Sequence, residues 1–455
     1  MKKLVALLLA LMMLLASCAA LAEDAEYPEK VEGIDFNGQK VWIADYWTRS
    51  ADRKDDPTEE EQAQYDYRDW INATYNVEAY QQADGDWGTN ATQLINFNGT
   101  GTAEDLRLYI IEPGSVGTLM ANGVIAAWND QDLVDLNSDK WNTADLEFLT
   151  KGGKTYGVVA GNSEPRQCLY FNKRVLEEAG IDWNTIYDMQ ANGTWTWAAW
   201  EEMMQKIHRD TDNDGVIDIY GFTGSSDDMM LISVFVNGGS FFAFDDNGNL
   251  QPTMNSDEAL SALAWAKGMK EKYFYYCPEG GNWDYYKEAF KAGNIGFYMY
   301  QCYGGFNDNA ELGDMEDEWG AVAFPVPNEG DTYLTVISDN FTVIPSCYDA
   351  ETVAKLVFLY DLWSNPTPGY DDEDSWIGNK YNYTDERAVD ETYAMLREPD
   401  HAVANRATLL GTVNDVLGQD FLWSIDGATP AELVETNMPK WQSLCDTFNG
   451  VATAE

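Results

Sequence analysis

Short apolar runs bounded by glycine alternate along this chain with longer stretches of helical spacing, predicting a series of strands and helices. Residues 38–44, GQKVWIA, pass from alternating to apolar and predict a first strand. The acidic stretch 55–75 predicts a helix and 75–80 a second strand. A further strand at 106–111 ends in Glu112-Pro113-Gly114, ahead of a helix starting near Ser115. Within residues 153–182, the run 156–160 predicts a buried strand. A loop follows at 162–165, then a second apolar run at 168–171. Asn172 stands as the N-cap of a helix that Gly180 ends. Thr196 caps another, and Trp195, Trp197 and Trp200 around it read as packing residues. Further on, 256–276 predicts a helix, and 282–300 a helix and a strand ending near Tyr300, Gln301 and Tyr303. A crossover at 319–327, a strand at 338–345 and a helix at 351–364 follow, and Thr429 with Pro430 marks the start of a last helix.

Residues 1–22 have the build of an export signal, with Lys2 and Lys3 ahead of an apolar run at 4–16 too short to span a bilayer. Two cleavage patterns compete. Leu15-Ala-Ser-Cys18 matches a lipobox, which makes Cys18 the lipidated, membrane-anchored first residue of the mature chain. Ala20-Leu-Ala22 matches ordinary signal peptidase and predicts a free secreted form. The lipoprotein is the preferred expectation, and an acidic linker at 23–35 follows.

A chain of 455 residues suits two lobes better than one core. The formal net charge of −49 repels nucleic acid and anionic lipid, so neither is an expected partner. It is read first as solubility outside the cell and second as cation capture. The 17 Trp and 26 Tyr will serve mostly as core, with a surplus that suits stacking on sugar rings. Without Cys18, five cysteines remain and none has CxxC spacing, so they read as small buried hydrophobes. His208 and His401, the only histidines, give a His-based triad or zinc site little to draw on. A phosphate loop at 153–155 fails because Phe148 stands where its first glycine belongs. The remaining enzyme class is a secreted glycoside hydrolase with paired acids, which 77 acidic residues permit without specifying.

The sharpest motif runs from Asp210 to Asp218. Asp210, Asp212, Asp214 and Asp218, the Val216 carbonyl and the turn at Gly215 fit an EF-hand-type calcium loop. Its twelfth position is Gly221 rather than a bidentate glutamate, so another segment, Asp227 or Asp228, would have to complete the shell. The alternative is a glycine turn held by Asx-type hydrogen bonds.

Several of these stretches in order resemble the bacterial extracellular solute-binding proteins of family 1, which deliver sugars to ABC importers. Residues 153–182 resemble the crossover between the two lobes of that family, with Tyr170 and Asn172 in place of its Tyr-Asn pair and Phe171 between them. The Thr-Trp segment at 194–204, the Asp-rich loop followed by Tyr220-Gly221, the helix and strand at 282–300, and Trp441 in the last helix extend the resemblance over about 36–448. It implies an α/β chain with the two-lobe periplasmic-binding-protein-like fold (type II), its discontinuous lobes joined by a hinge. The expected lobes are 36–155 plus 327–375 and 156–326 plus 376–455. It also implies a monomer that captures a carbohydrate, an oligosaccharide by expectation, without turnover and hands it to ABC permease subunits. No cofactor is expected beyond a structural calcium. Ligands of open α/β sheets lie beyond the strands' carboxyl ends, which points to Asp45, Tyr46 and Trp47 just past the first strand. The full candidate set is Trp47, Glu112, Arg166, Tyr170, Trp283, Tyr300, Tyr303, Asp339, Asn340 and Trp376, with aromatics stacking on rings and polar groups bonding to hydroxyls.

Overall fold

A computed structural model describes residues 27–102, 104–129, 133–305, 311–370 and 385–450. Its strands are β1 (Gln39–Asp45), β2 (Val77–Ala83), β3 (Leu106–Ile111), β4 (Gln167–Asn172), β5 (Tyr220–Gly224), β6 (Ile295–Gln301), β7 (Trp319–Val322), β8 (Thr335–Ile337), β9 (Phe341–Val343) and β10 (Ala402–Ala404), with two short hairpins besides. One sheet has the order β9-β3-β1-β2 and the other β7-β4-β6-β5. In the first, β1 lies parallel to both neighbours while β9 closes the edge antiparallel to β3. In the second, β6 is parallel to β5, and β4 runs antiparallel to β6 and β7.

Local signals set most element ends. Helix α1 (Glu59–Tyr75) starts at a capping box of Thr58 and Glu61 and stops at Asn76, which takes the left-handed conformation that asparagine tolerates. Asn172 accepts a hydrogen bond from Val175 N and opens the helix Lys173–Glu178. Helix α2 (Pro430–Asn449) has a second capping box, Thr429 with Glu432, and Pro430 in its first turn. Its Trp441 is fully buried, with the indole donating to the Val416 carbonyl at 3.0 Å. Trp195 and Trp200 are fully buried and Trp197 stacks on Trp265 at 3.8 Å, so all three serve packing as expected.

Three expected elements come out differently. Residues 156–160 are not a strand. Val158 and Ala160 make only isolated bridges, because Gly161 turns the chain away at φ 79° after a single pairing with β9. The strand expected over 338–345 shrinks to β9, since 338–340 belong to the passage between the sheets. The helix expected from Ser115 starts at Pro113, because Glu112 serves as its cap.

Two chain passages cross between the sheets side by side. Thr335 Oγ1 accepts from the backbone N–H of both Arg166 and Gln167, at 2.9 and 3.0 Å, and β8 pairs in parallel with β10. Beyond β10, residues 406–409 lie so close to helix Pro113–Ala121 that a Cβ on Gly117 would meet the Leu409 carbonyl oxygen at 1.8 Å. Among the described residues no helix is long and apolar enough to cross a membrane. Among the described residues Cys168, Cys277, Cys302, Cys347 and Cys445 form no disulfide, and three of them are buried.

Candidate functional site

The second sheet brings its loops together at one end. Strand β5 finishes at Gly224, where φ is 143° and a Cβ would meet the Met299 carbonyl oxygen at 2.0 Å, so only glycine fits there. Ser225 follows and caps helix Ser226–Val236 by accepting from Asp228 N at 3.2 Å, which lifts Asp227 and Asp228 to the rim of the sheet. Strand β6 delivers Tyr300, Gln301 and, one turn later, Tyr303 to the same end. Antiparallel β4 begins there with Gln167, opposite Gln301, just after Arg166. These residues, with β8 and the turn at 405–414, line a cavity of about 410 Å³. A second cavity of about 640 Å³ shares Ser225, Asp227, Trp283, Tyr286 and Asn414 with it and continues past Tyr276 and Trp423. Together they form one cleft.

Hydrogen bonds stiffen its floor. Gln167 donates to Asp228 Oδ1 at 3.0 Å while its own Oε1 accepts from Val336 N at 2.8 Å, tying the sheet to the passage between sheets. The Arg166 guanidinium donates to the Ser338 carbonyl at 2.9 Å, and the Tyr300 and Tyr303 hydroxyls share a bond of 3.0 Å. Burial pushes the Asp228 carboxyl up, against hydrogen bonds from Gln167, Ser225 and Gln301 and the Arg166 charge. Burial likewise raises Asp227, opposed by the Trp423 indole N–H.

The first sheet contributes a separate group of residues. Asp45, fully buried at the end of β1, accepts from the N–H groups of Trp47 and Thr48 at 3.2 and 3.0 Å and so folds the loop that carries Trp47 outward. Tyr46 packs edge-on against Trp47 at 4.9 Å and donates to Asn340 Oδ1 at 2.7 Å. Burial raises the Tyr46 hydroxyl, its hydrogen bond with Asn340 opposes the rise, and the Glu112 charge adds to it while the Arg166 charge offsets it.

The model of the bacterial extracellular solute-binding protein family matches residues 76–358, more than half of the chain. The chain belongs to this family. Its solved structural relatives share the two-lobe fold at low identity. UspC of M. tuberculosis is 14% identical with a TM-score of 0.62, over 89% of this chain and 99% of that one. MalE of Xanthomonas citri, a sugar-binding protein, is 14% identical with a TM-score of 0.61, over 91% and 98%. The cyclic alpha-maltosyl-1,6-maltose binding protein of Arthrobacter globiformis is 16% identical with a TM-score of 0.56, over 90% and 98%. At such identities these likenesses establish the fold alone. No curated protein matches the chain.

In this solute-binding protein, four of the expected residues, Arg166, Trp283, Tyr300 and Tyr303, line the cleft together. Trp47 and Asn340 stand at the Tyr46 junction instead. Glu112 spends its carboxylate on capping, accepting from Gly114 N at 2.6 Å and from the Ser115 hydroxyl. Tyr170 is a correction. It is fully buried, with its hydroxyl on the Cys302 carbonyl at 2.8 Å and its ring edge-on to Trp319, so it is a core residue. Asp339 and Asp145 line a small recess together with Phe148, Phe341, Ser338 and Asn405. Trp376 and Cys18 lie outside the described residues.

The Asp-rich loop precedes β5, whereas Asp227 and Asp228 follow it, so the strand separates them from the loop and they belong to the cleft. Asp210, Asp212 and Asp218 bring carboxylate oxygens within 4.8 Å of one another. Asp214 stands apart from that cluster and accepts from Val216 N at 2.8 Å. Asp210 also accepts from Asn213 N and Gly215 N, at 2.7 and 2.8 Å, so Asx-type bonds shape the turn. Sequence reasoning missed Gln167, Asp227, Asp228, Asn414 and Trp423 as cleft residues. The strand-end rule applied to β5 would have found the aspartates; nothing local marks Trp423 or Asn414.

Proposed function

We propose that this solute-binding protein captures a carbohydrate, an oligosaccharide by the size of its cleft, and delivers it unchanged to an ABC importer. One observation carries the reading. The exposed aromatics among the described residues are Trp47, Trp87, Tyr276, Trp283 and Trp423, and the last three line the same cavity. Burying such side chains elsewhere would stabilise the fold, so their exposure along one cleft supports a role in stacking on sugar rings. Gln167, Asn405, Asn414 and Gln301 offer donors and acceptors for hydroxyls alongside them. Two of the structural relatives, a sugar-binding protein and a cyclic maltosyl-maltose binding protein, support the same class. Asp227 and Asp228 rise together from one helix start, whereas paired-acid hydrolysis needs carboxyls flanking a bond from two sides, which favours capture over cleavage.

In this reading the lobes 36–155 plus 327–375 and 156–326 plus 376–455 close over the ligand by hinge motion, and the closed form docks the permease. The protein acts as a monomer on the outer face of the cell membrane, held by lipid on Cys18, and a calcium ion held by Asp210, Asp212 and Asp218 stiffens the loop before β5. The test is calorimetry of the mature protein against mono- and oligosaccharides, with analysis of the recovered sugar. Stoichiometric binding of intact sugar is expected. Cleaved sugar, or no saccharide binding at all, refutes the proposal.

A further inference from the structure

The cleft's charges bear on the ligand's charge. The lysines nearest the cleft are spoken for. Lys270 Nζ meets both Asp426 oxygens, at 2.8 and 2.9 Å, and Lys287 pairs with Glu311 at 2.6 Å. Arg166 donates to the Ser338 carbonyl. Asp227 has no such partner. Its Oδ2 accepts from the Trp423 indole N–H at 2.7 Å, and among the described residues its other oxygen accepts from no protein donor. Asp228, the next residue, is buried and places a second carboxyl beside it. Burial first, and then that neighbouring charge, raises Asp227, while Lys270, whose Nζ donates to Ser226 Oγ at 2.8 Å, offsets part of the rise without pairing with Asp227.

Asp227 is thus a half-buried carboxyl at the cavity wall without an ion pair of its own. The Trp423 indole that it holds is 56% exposed, and Trp283, at 80%, lines the same cavity with Tyr286. Aromatic faces attract ammonium groups, most strongly where water is excluded, and a carboxylate at the cage's edge completes the charge. The surface as a whole, at −49, steers cations inward. The geometry points to a saccharide that carries a protonated amine, with its ammonium seated on Asp227 in the cavity that Trp283 and Trp423 line; this rests on the carbohydrate reading above. The free oxygen of Asp227 accepts a hydrogen bond from an ammonium N–H, and the rest of the sugar meets Gln167, Gln301 and Asn414. A neutral sugar meets the same polar groups but leaves the Asp227 charge uncompensated.

The experiment is calorimetry at pH 7 with glucosamine mono- and tetrasaccharides, their N-acetylated counterparts, and neutral glucose tetramers in α and β linkage. The expected result is about tenfold tighter binding of an amine-bearing sugar than of its N-acetylated counterpart, the size of one partly screened charge pair. That ratio should shrink as salt is raised from 50 to about 500 mM. In Asp227→Asn, with an unchanged melting temperature, it should fall to within about twofold. N-acetylated or neutral sugars binding as tightly as the amines would overturn the inference and leave the carbohydrate reading standing. Failure of every saccharide would overturn both. A preference that persists unchanged in Asp227→Asn would overturn the assignment to this residue.

Discussion

Asp145 and Asp339 meet where the helix Thr143–Phe148 packs under the passage between the sheets, and two adjacent carboxyls in a buried recess cannot both ionise. Asp145 is 1% exposed, and its Oδ2 and that of Asp339 lack hydrogen-bond partners among the described residues. Burial first, then the Asp339 charge, pushes Asp145 up to about 8. Asp339 is raised as well, by burial, against a hydrogen bond from Ser163 and the charge of Arg166, with Glu164 adding to the rise. An acid whose folded-state affinity for protons exceeds its unfolded one, near pH 4, destabilises the fold as pH rises through that window. The loss begins near pH 4 and is complete above about pH 8. At about 1.4 kcal/mol per tenfold, the full penalty is on the order of 5 kcal/mol, most of it developed between pH 5 and 8. Asp145→Asn removes the titrating group and keeps the shape. Denaturant unfolding of both proteins from pH 5 to pH 9 should show the variant gaining on the wild type by on the order of 2–4 kcal/mol, then levelling off. Asp339→Asn should bend the same curve, and the double variant should add little. A stability difference that stays flat across that range would refute the shared-proton pair.

Three other outcomes are expected. Trp283→Ala should weaken saccharide binding about tenfold by calorimetry while leaving the melting temperature nearly unchanged, because the ring is exposed and packs little. Trp441→Ala should cost about 3–5 kcal/mol in denaturant unfolding, since it empties a fully buried site and strands the Val416 carbonyl. Adding calcium to chelator-treated protein should raise the melting temperature, and Asp210→Asn should abolish that rise; equal melting with and without calcium would remove the ion from the loop.

Elements whose ends are set by their own residues were legible in the sequence. β3 falls on the expected stretch because an apolar run ends at Glu112-Pro113, and α2 starts at Thr429 because a cap, a proline and a glutamate coincide there. Residues 156–160 misled for a related reason. They have the composition of a buried strand, and they are buried in part, yet Gly161 allows only one residue to pair with β9. Composition reports burial, but pairing depends on the path of a partner nearly two hundred positions away.

The cleft divides along the same line. Tyr300, Tyr303 and Arg166 were within reach because each sits at the end of an element whose ends could be read. Tyr170 failed because its position in β4 could be read but not its facing, and β4 is covered on both faces. Its hydroxyl meets the backbone of Cys302, a contact that β6 and β4 create only by pairing. Trp423 lay beyond any local rule. It belongs to the cleft because Asp227 accepts its indole N–H across nearly the whole width of the second half of the chain. A solute-binding cleft is assembled from strand ends and from returning segments of the chain. Strand ends can be read one at a time, whereas a returning segment acquires its role only when the fold brings it back to them.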